Sequence, residues 1–240
     1  SAPKRLQQLP LASHHSECAP CVRLRILQTT DIHANLRAHN YYANRPDQQH
    51  SLTRLASLID ERRKDTENCL LFDTGDFLQG TPLADFAVAN ASPSFQHPVI
   101  QVMSQLGYDA AALGNHDFDF GLEFLQNTID QADFPILCAN AFVSLSEDRE
   151  TITAPSAVLT KNVVDTSGRS HRLKIGVFGV VPPQIVLWNH AVLQGKVKTT
   201  GLVEAAACAV SDLKSAGADI VIAWAHTGLG DAQPRPDLEN

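Results

Sequence analysis

Residues 69 to 76 read Cys69-Leu70-Leu71-Phe72-Asp73-Thr74-Gly75-Asp76. A continuous apolar run this short reads as a strand covered on both faces. It stops abruptly at a Gly-Asp pair. A buried strand that ends in a polar cluster is the repeating unit of an open α/β sheet, whose ligand sites gather beyond the carboxyl ends of the strands.

Reading outward, residues 24–27 form a short apolar-alternating strand. Residues 51–64 place Leu52, Leu55, Ala56 and Ile59 on one helical face. Residues 99–106 read as a helix stopped at Gly107, residues 110–113 as a strand, 122–132 as a helix and 135–139 as a strand. The pattern then changes. Residues 157–164 and 173–181 flank the turn Asp165-Thr166-Ser167-Gly168 and read as a hairpin. Residues 202–216 are an Ala-rich helix with Val203, Ala206, Val210 and Leu213 on one face, and residues 220–225 read as a final buried strand. Strands alternating with helices imply an α/β fold, and the hairpin implies mixed sheets. Residues 1–22 read as a loosely ordered leader ahead of one domain over 23–240.

The chain is 44% hydrophobic and 19% charged over 240 residues, ample for one sizeable core. Its net charge of −7, with no large Lys/Arg cluster, excludes a nucleic-acid polymer as partner. A small anionic substrate is still compatible, because bound cations reverse the local field. The densest basic run, Arg62-Arg63-Lys64, closes a helix and reads as a solvated C-terminus that complements the macrodipole. No apolar run reaches the length of a membrane span. Residues 1–20 lack the apolar stretch of a secretory signal, so the compartment is not directly readable. Cys69, Cys138 and Cys208 lie in apolar runs and read as small buried hydrophobes. Cys18 and Cys21 form a C-x-x-C near His14 and His15. Without a second Cys/His pair or a βαβ context, the favoured reading is an arm closed by a local disulfide.

Four polar clusters each follow a predicted strand: Asp31-Ile32-His33, Gly75-Asp76, Gly114-Asn115-His116-Asp117, and His226. Singly, each is as common as a helix cap, a turn or a satisfied core histidine. Together, at matching strand ends, they can converge on one point. Oxygen donors mixed with imidazole suit Mn, Zn, Fe or Co. Asp76, after a glycine that lets the backbone turn tightly, is the candidate bridge between two such cations.

In this order the clusters resemble the calcineurin-type metallophosphoesterase superfamily, within its 5'-nucleotidase and cyclic-nucleotide phosphodiesterase family. Tyr41-Tyr42, the run from Gly80 to Asp85, and Val180-Val181-Pro182-Pro183-Gln184-Ile185 with Trp188 are similar to its 2',3'-cyclic-nucleotide 2'-phosphodiesterase/3'-nucleotidase branch. The resemblance implies a four-layer α/β/β/α sandwich with two divalent cations and nucleotide substrates. It also implies a periplasmic location. It assigns Asp31 and His33 to one cation, Asn115 and His226 to the other, and Asp76 to both. It makes His116 the group that protonates the leaving oxygen and Asp119 the residue that orients it. As a helix N-cap, Asp119 has an equally good local reading. Asp73 and Asp117 carry no implied role and read as structural.

The chain also departs from the pattern. The family carries a Gly-His-x-His motif after the last strand and a second, base-binding domain. Neither occurs before Asn240. The expectation is a truncated, weakly active domain in which each cation lacks one histidine. The competing readings are a 5'-nucleotidase or nucleotide-sugar hydrolase, and a non-catalytic metal-binding module.

Overall fold

The computed structural model describes residues 19–47, 49–92, 94–144 and 150–228. The leader and Cys18, with its C-x-x-C reading, lie outside these residues. The chain runs β1 (Arg25–Thr29), β2 (His39–Asn40), β3 (Arg45–Pro46), α1 (Leu52–Lys64), β4 (Cys69–Asp73), α2 (Pro82–Ala89), α3 (Pro98–Leu106) and β5 (Ala110–Ala112). A 3-10 turn (His116–Phe118) leads to α4 (Leu122–Ile129), β6 (Ile136–Leu137), β7 (Ala141–Val143), β8 (Ser156–Val164) and β9 (Ser170–Val180). The last elements are α5 (Ile185–Trp188), α6 (His190–Leu193), β10 (Val197–Thr199), α7 (Leu202–Ser215) and β11 (Ile220–Ala225).

Two sheets carry the fold. One has the order β1-β4-β5-β6 and the other β11-β9-β8. The alternation of side chains sorts the layers. On β4, Leu70 and Phe72 point toward the second sheet while Leu71 points toward the helices; on β5, Ala110 and Ala112 face inward and Ala111 outward. On β9, Ile175 and Val177 meet Phe72 and Trp224 between the sheets, while Phe178 and Val180 pack on Ala205, Ala209 and Leu213 of α7. The result is the expected sandwich of helix, sheet, sheet and helix. The sheets approach closely at Gly179, where a Cβ would sit 2.5 Å from that of Ala112. Each large apolar side chain buried in these layers contributes roughly 1.5–3 kcal/mol.

Five details correct the sequence reading. Only the second sheet is mixed: the first pairs all its strands in parallel, whereas β9 pairs parallel with β11 and antiparallel with β8. The buried stripe of α7 is Ala205, Ala209 and Leu213, and Val203 is 85% exposed. An Ala-rich helix is nearly as apolar on its flanks as on its inner face, so periodicity picked the wrong stripe. Cys208 consequently faces solvent, and Cys69 is half-buried. The strand β11 is an edge strand among the described residues, with only Trp224 buried. Arg63 is more than a solvated charge, because its guanidinium donates to the carbonyls of Leu106 and Gly107 and so caps α3.

Candidate metal centre

The loops that leave β1, β4, β5 and β11 meet at one end of the sandwich. The first two are zipped together by backbone bonds. The N–H of Asp31 donates to the Gly75 carbonyl (3.0 Å), that of His33 to Asp76 (2.8 Å), and that of Ala34 to Phe77 (3.0 Å). Asp31, His33, Ala34 and Asp76 all sit at φ between 48° and 61°. Non-glycine residues in this left-handed region cost roughly 1–3 kcal/mol each and persist where the surroundings dictate them. Here buried Ile32, Ala34, Phe77 and Leu78 anchor both loops in the core.

The third loop is drawn in by glycine and by one carboxylate. A Cβ on Gly75 would lie 2.3 Å from the Gly114 nitrogen, and one on Gly114 would lie 2.2 Å from Asp76 Oδ1. Only glycine permits that approach. Asp117, fully buried, accepts the N–H groups of Asp76 and Gly114 on Oδ2 and those of Phe77 and Leu78 on Oδ1, at 2.8–2.9 Å. Burial first, and the charge of Asp76 second, push its carboxyl above the ordinary carboxylate range against the pull of these donors. Asp73 is likewise buried beside Thr29 Oγ1, which donates to it, and burial pushes it up to about 8. Both carboxylates are thus buried and engaged by donors of the protein itself.

Oxygen and nitrogen donors of Asp31, Asp76 and His226 lie within 4.8 Å of one another. Nε2 of His226 is 3.1 Å from Asp76 Oδ2, and its Nδ1 is 2.8 Å from the Thr74 carbonyl. His33 repeats the arrangement, with Nδ1 on the Gln79 carbonyl (2.7 Å) and Nε2 3.7 Å from Asp31 Oδ1. An imidazole that gives one nitrogen to a backbone carbonyl and turns the other toward carboxylates is set up as a cation ligand. Asn115 supplies an independent sign: its Oδ1 is buried and has no hydrogen-bond partner among the described residues. A buried acceptor left unpaired costs roughly 1–3 kcal/mol, which a cation would offset. The donor set therefore fits hard or borderline divalent cations. Burial alone would lower the His226 imidazole, but Asp76, the Thr74 carbonyl and Asp31 outweigh it and push it up to about 9.

His116 stands at the rim. Its N–H donates to Asp76 Oδ1 (2.7 Å), its ring lies 5.4 Å from that of His33, and its Nδ1 is 2.8 Å from Asp119 Oδ2. The N-cap of α4 is Gly121, not Asp119. Asp31, His33, Asp76, His116 and His226 line a common cavity of about 380 Å³. Five of the seven residues picked out in the sequence line this cavity; of the other two, Asn115 precedes His116 in the same loop and Asp119 pairs with the His116 ring. Sequence reasoning missed Asn189, whose Nδ2 donates to the Asn115 carbonyl (3.1 Å) and ties the α5–α6 corner to the loop of His116. The run from Val180 to Trp188 pointed to that corner without identifying the contact.

The model of the calcineurin-like phosphoesterase family matches residues 24–235. The trifunctional nucleotide phosphoesterase protein YfkN of Bacillus subtilis is 41% identical over 97% of this chain and 16% of its own length. The 2',3'-cyclic-nucleotide 2'-phosphodiesterase/3'-nucleotidase of Haemophilus influenzae is 42% identical over 91% of this chain and 33% of its own length. The crystal structure of calcineurin-like phosphoesterase YfkN superposes with a TM-score of 0.84 at 42% identity, covering 88% of this chain and 64% of that one. The chain thus spans a third or less of the length of these two curated relatives.

Proposed function

The chain belongs to the calcineurin-like phosphoesterase family, whose members use divalent metal ions, and we propose that it carries the catalytic centre of a nucleotide phosphoesterase acting on 2',3'-cyclic nucleotides and 3'-nucleotides. The observation that carries this reading is the convergence of Asp31, Asp76 and His226 within 4.8 Å, beside the His116–Asp119 pair. Residues 23–240 are read as one metallophosphoesterase domain. The relatives' names support the substrate class.

In this reading Asp31, His33 and Asp76 would hold one cation, and Asp76, Asn115 and His226 would hold the other; Mn, Zn, Co and Fe all suit these donors. Cations bound there supply Lewis-acid polarisation of a phosphoryl oxygen and acidify water. The chain's own residues do the rest. Asp119 accepts Nδ1–H of His116, which leaves Nε2 as the atom that exchanges a proton with the substrate. Protonated there, His116 donates to the leaving ribose oxygen as the phosphorus–oxygen bond breaks. Asp117 keeps the three loops in register, so the reacting groups are oriented before substrate arrives.

No helix among the described residues is long and apolar enough to cross a membrane. A periplasmic location is part of the proposal and rests on the family resemblance. The test is to supply the full-length protein with Mn²⁺ and compare kcat/KM for 2',3'-cyclic AMP, 3'-AMP and 5'-AMP. Preference for the first two supports the reading, and preference for 5'-AMP makes the protein a 5'-nucleotidase.

A further inference from the structure

A second cavity, of about 680 Å³, lies between the end of α2 and α4 and shares no lining residue with that of the metal centre. Its size falls within the usual range for small-molecule sites. Phe95, Phe120 and Phe124 line it with half-buried phenyl faces, and the last two are packed edge to face, 5.3 Å between centroids. His97 lines the same cavity. It is 2% exposed, its backbone N–H donates to Gln131 Oε1 (2.7 Å), and neither ring nitrogen has a partner among the described residues. Burial keeps the ring neutral at pH 7, so it holds one N–H donor and one acceptor, both unengaged. The charged lining consists of Glu123 and Asp130, both exposed, with no Lys or Arg. The carboxyl ends of α2, at Val88, and of α4, at Thr128, also reach the cavity and bring their partial negative charge to it.

We propose that this cavity is a separate ligand site for an arylalkylammonium: an aromatic ring packs on the phenyls, and a protonated primary amine sits at the carboxyl end of α4 and donates to His97. Three features select that ligand. The lining charge is all of one sign and the two helix ends add to it, so a cation is favoured and a phosphate or carboxylate is repelled. The phenyls suit an aromatic body and also attract a cation held over their faces. A buried acceptor left unpaired is costly, and an ammonium N–H supplies the partner that His97 does not find among the described residues. A nucleotide has the wrong charge for this cavity, so the two sites take different molecules.

The site stands independently of the nucleotide reading, and so does its test. Calorimetric titration of the full-length protein with 2-phenylethylamine at pH 7 should show saturable binding. Three analogues separate the features. 2-Phenylethanol, which has no charge, and trimethyl(2-phenylethyl)ammonium, which has no N–H to give, should each bind about fivefold more weakly or worse. 3-Phenylpropionate, of opposite charge, should not bind. His97→Phe keeps an aromatic ring in place but has no acceptor, and should raise the Kd for 2-phenylethylamine about tenfold, the usual loss for a hydrogen bond to a charged group. Saturating Mn²⁺ should leave the Kd of the parent unchanged, because the two cavities share no lining residue. The absence of saturable binding, equal affinity for any of the three analogues, or an unchanged Kd in His97→Phe would each overturn the site. Competition by Mn²⁺ would overturn it too, by placing the amine on the carboxylates of the metal centre. The analogue series and the Mn²⁺ competition are measured on the parent, so they decide the matter even where His97→Phe is poorly folded.

Discussion

Nδ1 of His116 lies 2.8 Å from Oδ2 of Asp119, three residues further along the same turn. With Nδ1 engaged by this carboxylate, the imidazole borders the cavity that it lines with Asp31, Asp76 and His226.

Under the proposed roles, His116 serves the chemistry and not cation binding. His116→Ala should lower kcat by about 10²–10⁴-fold, the usual loss for a general acid, with metal content unchanged. Asp119→Asn should lower it less, on the order of 10–100-fold, because it disturbs the orientation of the acid and not the acid itself. Steady-state kinetics with 2',3'-cyclic AMP, paired with metal analysis of each variant, checks both. Loss of metal from His116→Ala would contradict the assignment.

Asp117 is the fastening of the site. Asp117→Ala would leave the N–H groups of Asp76, Phe77, Leu78 and Gly114 without their acceptor. Each buried donor stranded in this way costs roughly 1–3 kcal/mol, and entering water would recover part of that. A net loss of roughly 3 kcal/mol or more is expected, read as a lower urea midpoint at unchanged m-value. A variant as stable as the parent would show that the loops hold together without this carboxylate.

His97 gives a pH signature remote from the centre. It is buried against Phe124, neither ring nitrogen has a partner among the described residues, and burial lowers its pKa from 6.5 to about 4. Between those values the unfolded chain takes up a proton that the folded chain refuses. Stability is therefore complete above about pH 6.5 and falls toward pH 4, by at most about 1.4 kcal/mol per pH unit. His97→Phe cannot titrate and also removes two unpaired buried nitrogens. It should match or exceed the parent at pH 7, with an advantage that widens as pH falls to 4. Denaturation curves at pH 7, 5.5 and 4.5 measure it; a constant difference would contradict the account.

Much of this was legible in the sequence, for a physical reason. Residues 69–76 change from wholly apolar to polar within one step, and the loops after β1, β5 and β11 do the same, so strand ends and candidate ligands are visible together. What stayed hidden depends on partners distant in sequence. The acceptor role of Asp117 involves backbone groups, which no residue type reveals. The stripe of α7 was misread because alanine is tolerated on both sides of a helix, and Cys208 followed it to the wrong face. The helices α5 and α6 have four residues each, too few for any periodicity, although they carry Asn189 to the site.

The central claim is that Asp76, contacted by both His226 and the His116 backbone, is the shared ligand of a divalent metal centre. Titration calorimetry with Mn²⁺ on the parent and on Asp76→Ala tests it most directly, with matched circular dichroism to show that both are folded. The parent should bind Mn²⁺, and Asp76→Ala should bind it at least tenfold more weakly. Equal affinity in a folded Asp76→Ala would contradict the claim.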